Sequence, residues 1–384
     1  MDMSIFSQLR WNFVYQRPQH IIGRMSKDYR TFYFEEPEDI EKQEYAEYLE
    51  KFNGNESAKS DYHHYVSEEG VNVIVPLLQR EDFHNIPLLE NIMKKVYMDF
   101  IIAEDIFWYY TPMAMEYTSF FSPSMTVYDC MDQLAAFKFA PPNLVELEKK
   151  LFKRADLVFT GGASLYEAKK NSHDSVHCFP SSIDKSHFGR ATAQLPEPED
   201  QSLIPRPRAG YFGVVDERFD IDLLKEMSSF LPDWSFIIVG PVVKIDPAIL
   251  PQAENIHYLG IKKYEELPYY LSSWDVAIMP FALNESTRYI SPTKTPEYLA
   301  AGKKVVSTAV HDVVHPYEDL GLVSIGRTNR EFADQVENSR GTDQQWHEKV
   351  QAHLKDFSWD YTCQQMSKLI EEKMAEKELG ISKH

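Results

Sequence analysis

The chain has 384 residues, 43% of them apolar and 13% aromatic, which gives length for two domains of ordinary size and excludes a disordered segment. A formal net charge of −19, with no Lys/Arg-rich run to offset it, repels nucleic acid and excludes it as a partner. Cys130, Cys178 and Cys363 lack metal-site spacing and form no disulfide framework, and no signal segment or apolar run of about 18 residues stands out, so a cytoplasmic location is expected, with membrane contact at most peripheral.

Ser4–Trp11 is expected as a first strand, although Gln8 and Arg10 are unusual in a buried one. Pro18 then opens a helix with Ile21, Ile22 and Met25 at helical spacing. Arg17, Gln19 and His20 crowd its start. In an open α/β sheet this first turn faces the ligand crevice; the alternative is a solvated helix start. Arg30–Phe34 reads as the second strand, and 35–67 as an acidic, tyrosine-rich excursion with some helix. Val71–Pro76 reads as a strand ended by its proline. Asn85–Ala103 has helical periodicity, Ile106–Tyr110 is a strand, and Thr111-Pro112 opens another helix.

Thr126–Asp132 is a strand that ends on two carboxylates, Asp129 and Asp132, where parallel sheets bind substrates; alternatively both merely cap the next turn. The basic residues of 149–154 alternate with apolar ones and read as one helix face. Ala155–Thr160 feeds the Gly161-Gly162 turn and a helix from Ser164, and Val176–Pro180 is the last strand of the first half. His173 and His177 have no partners at metal-ligand spacing. Ala193–Pro207 is proline-rich, acidic and poor in apolar residues, a linker signature. The boundary is therefore placed there, with a first domain 1–205 and a second 206–359, residues 360–384 returning to the first.

Ala209–Val215 opens the second half and carries Gly213. Arg218 follows, adding charge near a ligand or pairing with Glu217 or Asp220. Asp220-Ile221-Asp222 has D-x-D spacing, but at a helix start it reads as a pair that favours the dipole, and no metal or other cofactor is expected. Ser235–Val239 runs into Gly240; Ile256–Gly260 and Trp274–Phe281 are further strands, with a Tyr264–Leu271 helix between them. The most informative stretch is Ser291–Gly302. Thr295 is expected as N-cap, Pro296 at the first helical position and Gly302 in the left-handed position past the end. A helix start attracts phosphate, and Ser291, Pro292, Thr293 and Lys294 stand ahead of it with hydroxyls and one full charge. Glu297 can accept from a sugar diol. The alternative is an ordinary capped helix with a surface lysine. Lys303–Thr308 and Gly321–Ile325 are late strands, and 346–357 and 361–376 are terminal helices.

These segments, in this order, resemble the two-Rossmann-domain (GT-B) glycosyltransferases of the group-1 or glucuronosyltransferase-like kind. The resemblance implies an α/β fold with two doubly wound parallel-sheet domains facing across a cleft and a last helix crossing back onto the first. It implies a donor diphosphate on Ser291, Pro292, Thr293 and Lys294, a ribose on Glu297, donor phosphates near Gly213 and Arg218, and the base near Gly240 and 260–263. It makes Asp132 the base, with Asp129 second, and puts Arg17, Gln19 and His20 on the acceptor side. Gly161-Gly162 would approach the cleft, and Ser182-Ile183-Asp184 has serine where the family has glycine. Tyr289 stands eight positions before Glu297, where many retaining members carry a first glutamate, so inversion is expected. The implied reaction is metal-free transfer from a nucleotide-diphosphate sugar, most commonly UDP-linked, to a hydroxyl of a carbohydrate or lipid-linked glycan in cell-surface polysaccharide or glycoconjugate synthesis. Two rivals remain: a sugar-nucleotide epimerase or hydrolase of the same fold, and a non-catalytic sugar-nucleotide-binding scaffold.

Overall fold

A computed structural model describes residues 1–41, 61–103 and 105–380. Among these residues the first sheet contains β1 (Asp2–Phe6), β2 (Arg30–Phe34), β3 (Glu38–Asp39), β4 (Tyr62–Val66), β5 (Asn72–Leu78), β6 (Asp105–Tyr109), β7 (Met125–Cys130), β8 (Leu157–Thr160) and β9 (Val176–Cys178). The order is β3-β5-β2-β1-β6-β7-β8-β9, parallel throughout, with β4 antiparallel on β5. Alternate residues feed opposite faces: Phe6, Phe32, Phe34 and Phe107 enter one core, while Met3, Ile5, Tyr33 and Trp108 enter the other. A sheet covered on both faces needs apolar residues in both phases, hence the near-continuous apolar runs.

The second sheet is also parallel, ordered β12-β11-β10-β13-β14-β15, from β10 (Arg208–Phe212), β11 (Ser235–Val239), β12 (Ile256–Gly260), β13 (Val276–Met279), β14 (Val305–Ser307) and β15 (Val323–Ile325). Strand order reverses between β1 and β6 in one sheet and between β10 and β13 in the other, so each domain has a ligand crevice at its strands' carboxyl ends. The terminal helix Trp359–Glu378 does cross back: Trp359, Cys363, Met366 and Ile370 enter the first sheet's core, and Asp360 pairs with Arg24 at 2.6 Å.

Several local expectations shift. The first strand is Asp2–Phe6, not Ser4–Trp11; Gln8 and Arg10 fall in the following loop, where Arg10 pairs with Glu35 and Glu38. Pro76 does not end its strand. Pairing of β2 with β5 stops at Ile74, so the missing N–H costs that neighbour nothing, and β5 runs on to Leu78 against β3. Residues 35–67 contain two strands at their ends, and the helix expected there would lie at 42–60, outside the described residues. Thr111-Pro112 does open a helix, as a 3-10 turn, Pro112–Ala114, that runs directly into the α-helical turn Met115–Thr118. The proline-rich segment is docked on the second domain: Gln201 is buried and bonds to Tyr270, Ser273 and Trp274, and Arg208 pairs with Glu197. Ile183, Phe188, Ala191 and Ile204 already belong to the second sheet's core.

Candidate active site

The carboxyl ends of the two sheets face each other across a cleft of about 500 Å³. On the second-domain wall, the helix Lys294–Ala300 begins two residues earlier than its cap chemistry implied. Thr293 is the N-cap, with no side-chain cap bond, and Thr295 is buried, donating to Met279 Sδ at 3.5 Å. Pro296 is tolerated as the third helical residue because the N–H groups of a first turn lack intrahelical partners anyway. Gly302 does take the left-handed conformation, with φ 70°.

Ser291, Pro292, Thr293, Lys294 and Glu297 all line the cleft. The Lys294 side chain lies on Gly213: a Cβ added there would stand 2.2 Å from Lys294 Cε, and φ is 146°. Gly240, at φ 141°, leaves no room for a Cβ either, which would meet the Gly213 carbonyl at 2.0 Å. Only glycine permits this layering of lysine on backbone on backbone. Burial pushes the Lys294 ammonium down, against the pull of Glu297. Burial also pushes the Glu297 carboxyl up to about 7, against the pull of Lys294. Neither makes an ion pair or side-chain hydrogen bond among the described residues.

Arg218 does not pair with Glu217 or Asp220. Its Nε and Nη2 donate to Asp216 at 2.7–3.2 Å, and this partner raises its pKa although burial works against the charge. Asp220 accepts from the Leu223 N–H at 2.8 Å and caps the helix Ile221–Phe230, with Asp222 in its first turn.

On the first-domain wall, Asp132 lies two residues beyond β7, half-buried in the cleft and in no ion pair among the described residues. Burial raises its pKa; Arg218 and Arg17 pull it down. Asp129 differs. It is fully buried within β7, and Arg17 Nε and Nη2 donate to its two oxygens at 2.9–3.1 Å while Nη1 donates to the Phe179 carbonyl at 2.7 Å. Burial raises Asp129, and Arg17 opposes the rise. Arg17 edges the cleft, but its charge is committed to Asp129.

Gln19 and His20 do not face the cleft. The Gln19 amide accepts from the Gln16 N–H and donates to the Trp11 carbonyl, shaping the loop. The His20 ring is buried, stacked on Trp359 at 4.6 Å, and burial drives its pKa well below the usual histidine value. Sequence reading also missed cleft residues. Tyr15 and Tyr264 stack across the domains at 4.9 Å, and His187 covers the other face of Tyr264 at 4.2 Å. Tyr264 was visible only as a helix start, and nothing in its local pattern announces a partner almost 250 positions away.

Residues 206–339 match the model of the family described as Glycosyl transferases group 1. Over 220 residues the chain is 29% identical to the Bacillus subtilis (strain 168) protein named putative teichuronic acid biosynthesis glycosyltransferase TuaH, covering 52% of this chain and 54% of that one. The chain thus spans about half the length of the curated relative it matches. Among solved structures, an E. coli trehalose-6-phosphate protein bound with UDP-2-fluoro glucose superposes with TM-score 0.69 at 11% identity, over 97% of this chain and 99% of that one. Anabaena HepE in complex with UDP and glucose gives 0.68 at 14%, and sucrose-phosphate synthase from Thermosynechococcus elongatus gives 0.67 at 15%, each over 97% of this chain and 99% of the other. These likenesses show the fold: two facing parallel-sheet domains of the GT-B type.

Proposed function

We propose that this chain, a GT-B-fold protein with a group 1 glycosyltransferase match in its second domain, transfers a sugar from a nucleotide-diphosphate donor to an acceptor hydroxyl. The observation that carries the reading is the pair Lys294 and Glu297, both in the cleft at a helix start beside a switch-point strand and neither satisfied within the described residues. Glu297 is buried and Lys294 half-buried, and charges withdrawn from water without a bonded partner are costly unless a ligand supplies one.

In this reading the domain from residue 206 holds the donor. Lys294, the Ser291 and Thr293 hydroxyls and the helix N–H groups neutralise the leaving diphosphate, and Glu297 takes the ribose. The first domain presents the acceptor, and Asp132 removes its hydroxyl proton. Burial raises this carboxyl above the ordinary aspartate value, which makes it a stronger base than an exposed aspartate. Tyr289, at the position where many retaining members carry a first glutamate, packs against the first domain's core and supplies no carboxylate, which favours inversion. UDP is the preferred carrier because HepE and the E. coli protein are each solved with a uridine diphosphate group, and the Bacillus relative's name points to a cell-surface polysaccharide.

Asp132→Asn tests the reading. It is expected to lower kcat by about 10²–10⁴-fold with UDP affinity unchanged, since it removes a base and no donor contact. Undiminished turnover would refute the assignment, and turnover without an acceptor would make the protein a hydrolase or epimerase of the same fold.

A further inference from the structure

The Gly161-Gly162 turn at the end of β8 faces the second domain. A Cβ on Gly162 would stand 2.3 Å from Asp312 Oδ2 and 2.6 Å from Ser291 Cβ, so first-domain backbone lies directly on the loop that leads into the Lys294 helix. Two hydrogen bonds cross at this point. The Ser164 N–H donates to Asp312 Oδ1 at 3.0 Å, and Ser181 Oγ donates to the Ser291 carbonyl at 3.0 Å. Asp312 also accepts at Oδ1 from His311 Nδ1 at 3.1 Å, and both Asp312 and Ser164 are buried.

The Asp312 carboxylate gives up its hydration here against His311 of its own domain and against the Ser164 N–H that the other domain provides. The exchange with Ser164 exists while the domains touch and reverses when they part. The contact is incomplete: Asp312 Oδ2 and Ser164 Oγ are buried with no hydrogen-bond partner. Unmade bonds at a buried junction weaken it, which suits a junction that must release.

We propose that Asp312 is a positioning residue, a latch whose capture of the Gly161-Gly162 turn brings the Ser291–Lys294 segment into its diphosphate-binding geometry. The latch rests on the reading of that segment given under Proposed function. It makes diphosphate affinity depend on domain approach, so the donor is gripped in the closed molecule and released from the open one.

The test compares wild type, Asp312→Ala and Asp312→Asn by small-angle scattering and by calorimetry with UDP and with uridine. Asparagine keeps an oxygen that can accept from Ser164; alanine does not. Asp312→Ala is expected to be more extended and to bind UDP about tenfold more weakly, the scale of one lost charge-assisted bond, with uridine affinity unchanged. Asp312→Asn is expected to restore both readouts. Scattering or UDP affinity unchanged in Asp312→Ala overturns the latch. So do equal losses for UDP and uridine, or an asparagine variant as impaired as the alanine one. If the wild type itself binds neither UDP nor GDP, the donor reading fails first, and that is seen without any variant.

Discussion

Arg17 with Asp129, and Lys294 with Glu297, are each a cation and a carboxylate set at the carboxyl end of a parallel sheet; Arg17, Lys294 and Glu297 line the cleft, and Asp129 is fully buried in β7. In the first pair the guanidinium and carboxylate meet in a two-pronged contact at 2.9–3.1 Å, and a carbonyl takes a further N–H. In the second, the ammonium lies on a glycine and the carboxyl carries a pKa of about 7, each feeling the other's charge without an ion pair. Arg17, Asp129 and Glu297 are buried and Lys294 is half-buried; what divides the two pairs is satisfaction. A saturated buried pair holds the fold, and an unsatisfied one awaits a ligand.

The largest effect should come from breaking the saturated pair. Asp129→Asn leaves Arg17 buried without its counter-charge and is expected to cost about 3–5 kcal/mol of stability, read from the denaturant midpoint. Replacing Arg17 and Asp129 together with apolar residues should cost less than either single change. An Asp129→Asn protein as stable as wild type but lacking turnover would return Asp129 to the catalytic role.

That distinction marks what the sequence made legible. Strand phases such as those of Arg30–Phe34 could be read because each residue's neighbours fix its face, and the Ser291–Gly302 helix could be read from Pro296 and Gly302. Asp129 and Asp132 could not be ranked on physical grounds, because what separates them is Arg17, 112 positions from Asp129. His20 looked like a cleft residue for the same reason, its partner Trp359 being far along the chain, whereas Gln19 is spent on its own loop, on Gln16 and Trp11. Thr295 misled differently. Threonine before proline is cap chemistry, but the helix had already begun at Lys294, leaving its side chain facing Met279.

The unsatisfied pair has its own signature in pH. The Glu297 carboxyl goes from 4.5 to about 7 on folding, so the folded chain holds this proton more tightly. Its contribution is fully present below about pH 4.5 and is lost as pH rises towards 7, roughly 3 kcal/mol in all. Glu297→Gln has no proton to lose, so its stability relative to wild type should improve by that amount between about pH 4 and pH 8. A difference that stays flat across that range would place Glu297 outside the pair.

The smallest effect is expected at Asp220 and Asp222. Asp220 is spent on the Leu223 N–H, as Asp129 is on Arg17, so EDTA should leave UDP affinity and turnover intact. Activity lost to chelation and restored by Mn²⁺ or Mg²⁺ would show that this pair is not saturated.

The most direct measurement is calorimetric titration of wild type and Lys294→Ala with UDP and with uridine. In the proposed reading Lys294 meets the diphosphate and not the nucleoside, so its removal should cost about 1.5–3 kcal/mol, or 10–150-fold, in UDP affinity while leaving uridine binding unchanged. Equal losses for both, or none for either, would contradict the assignment of the diphosphate to the Lys294 helix.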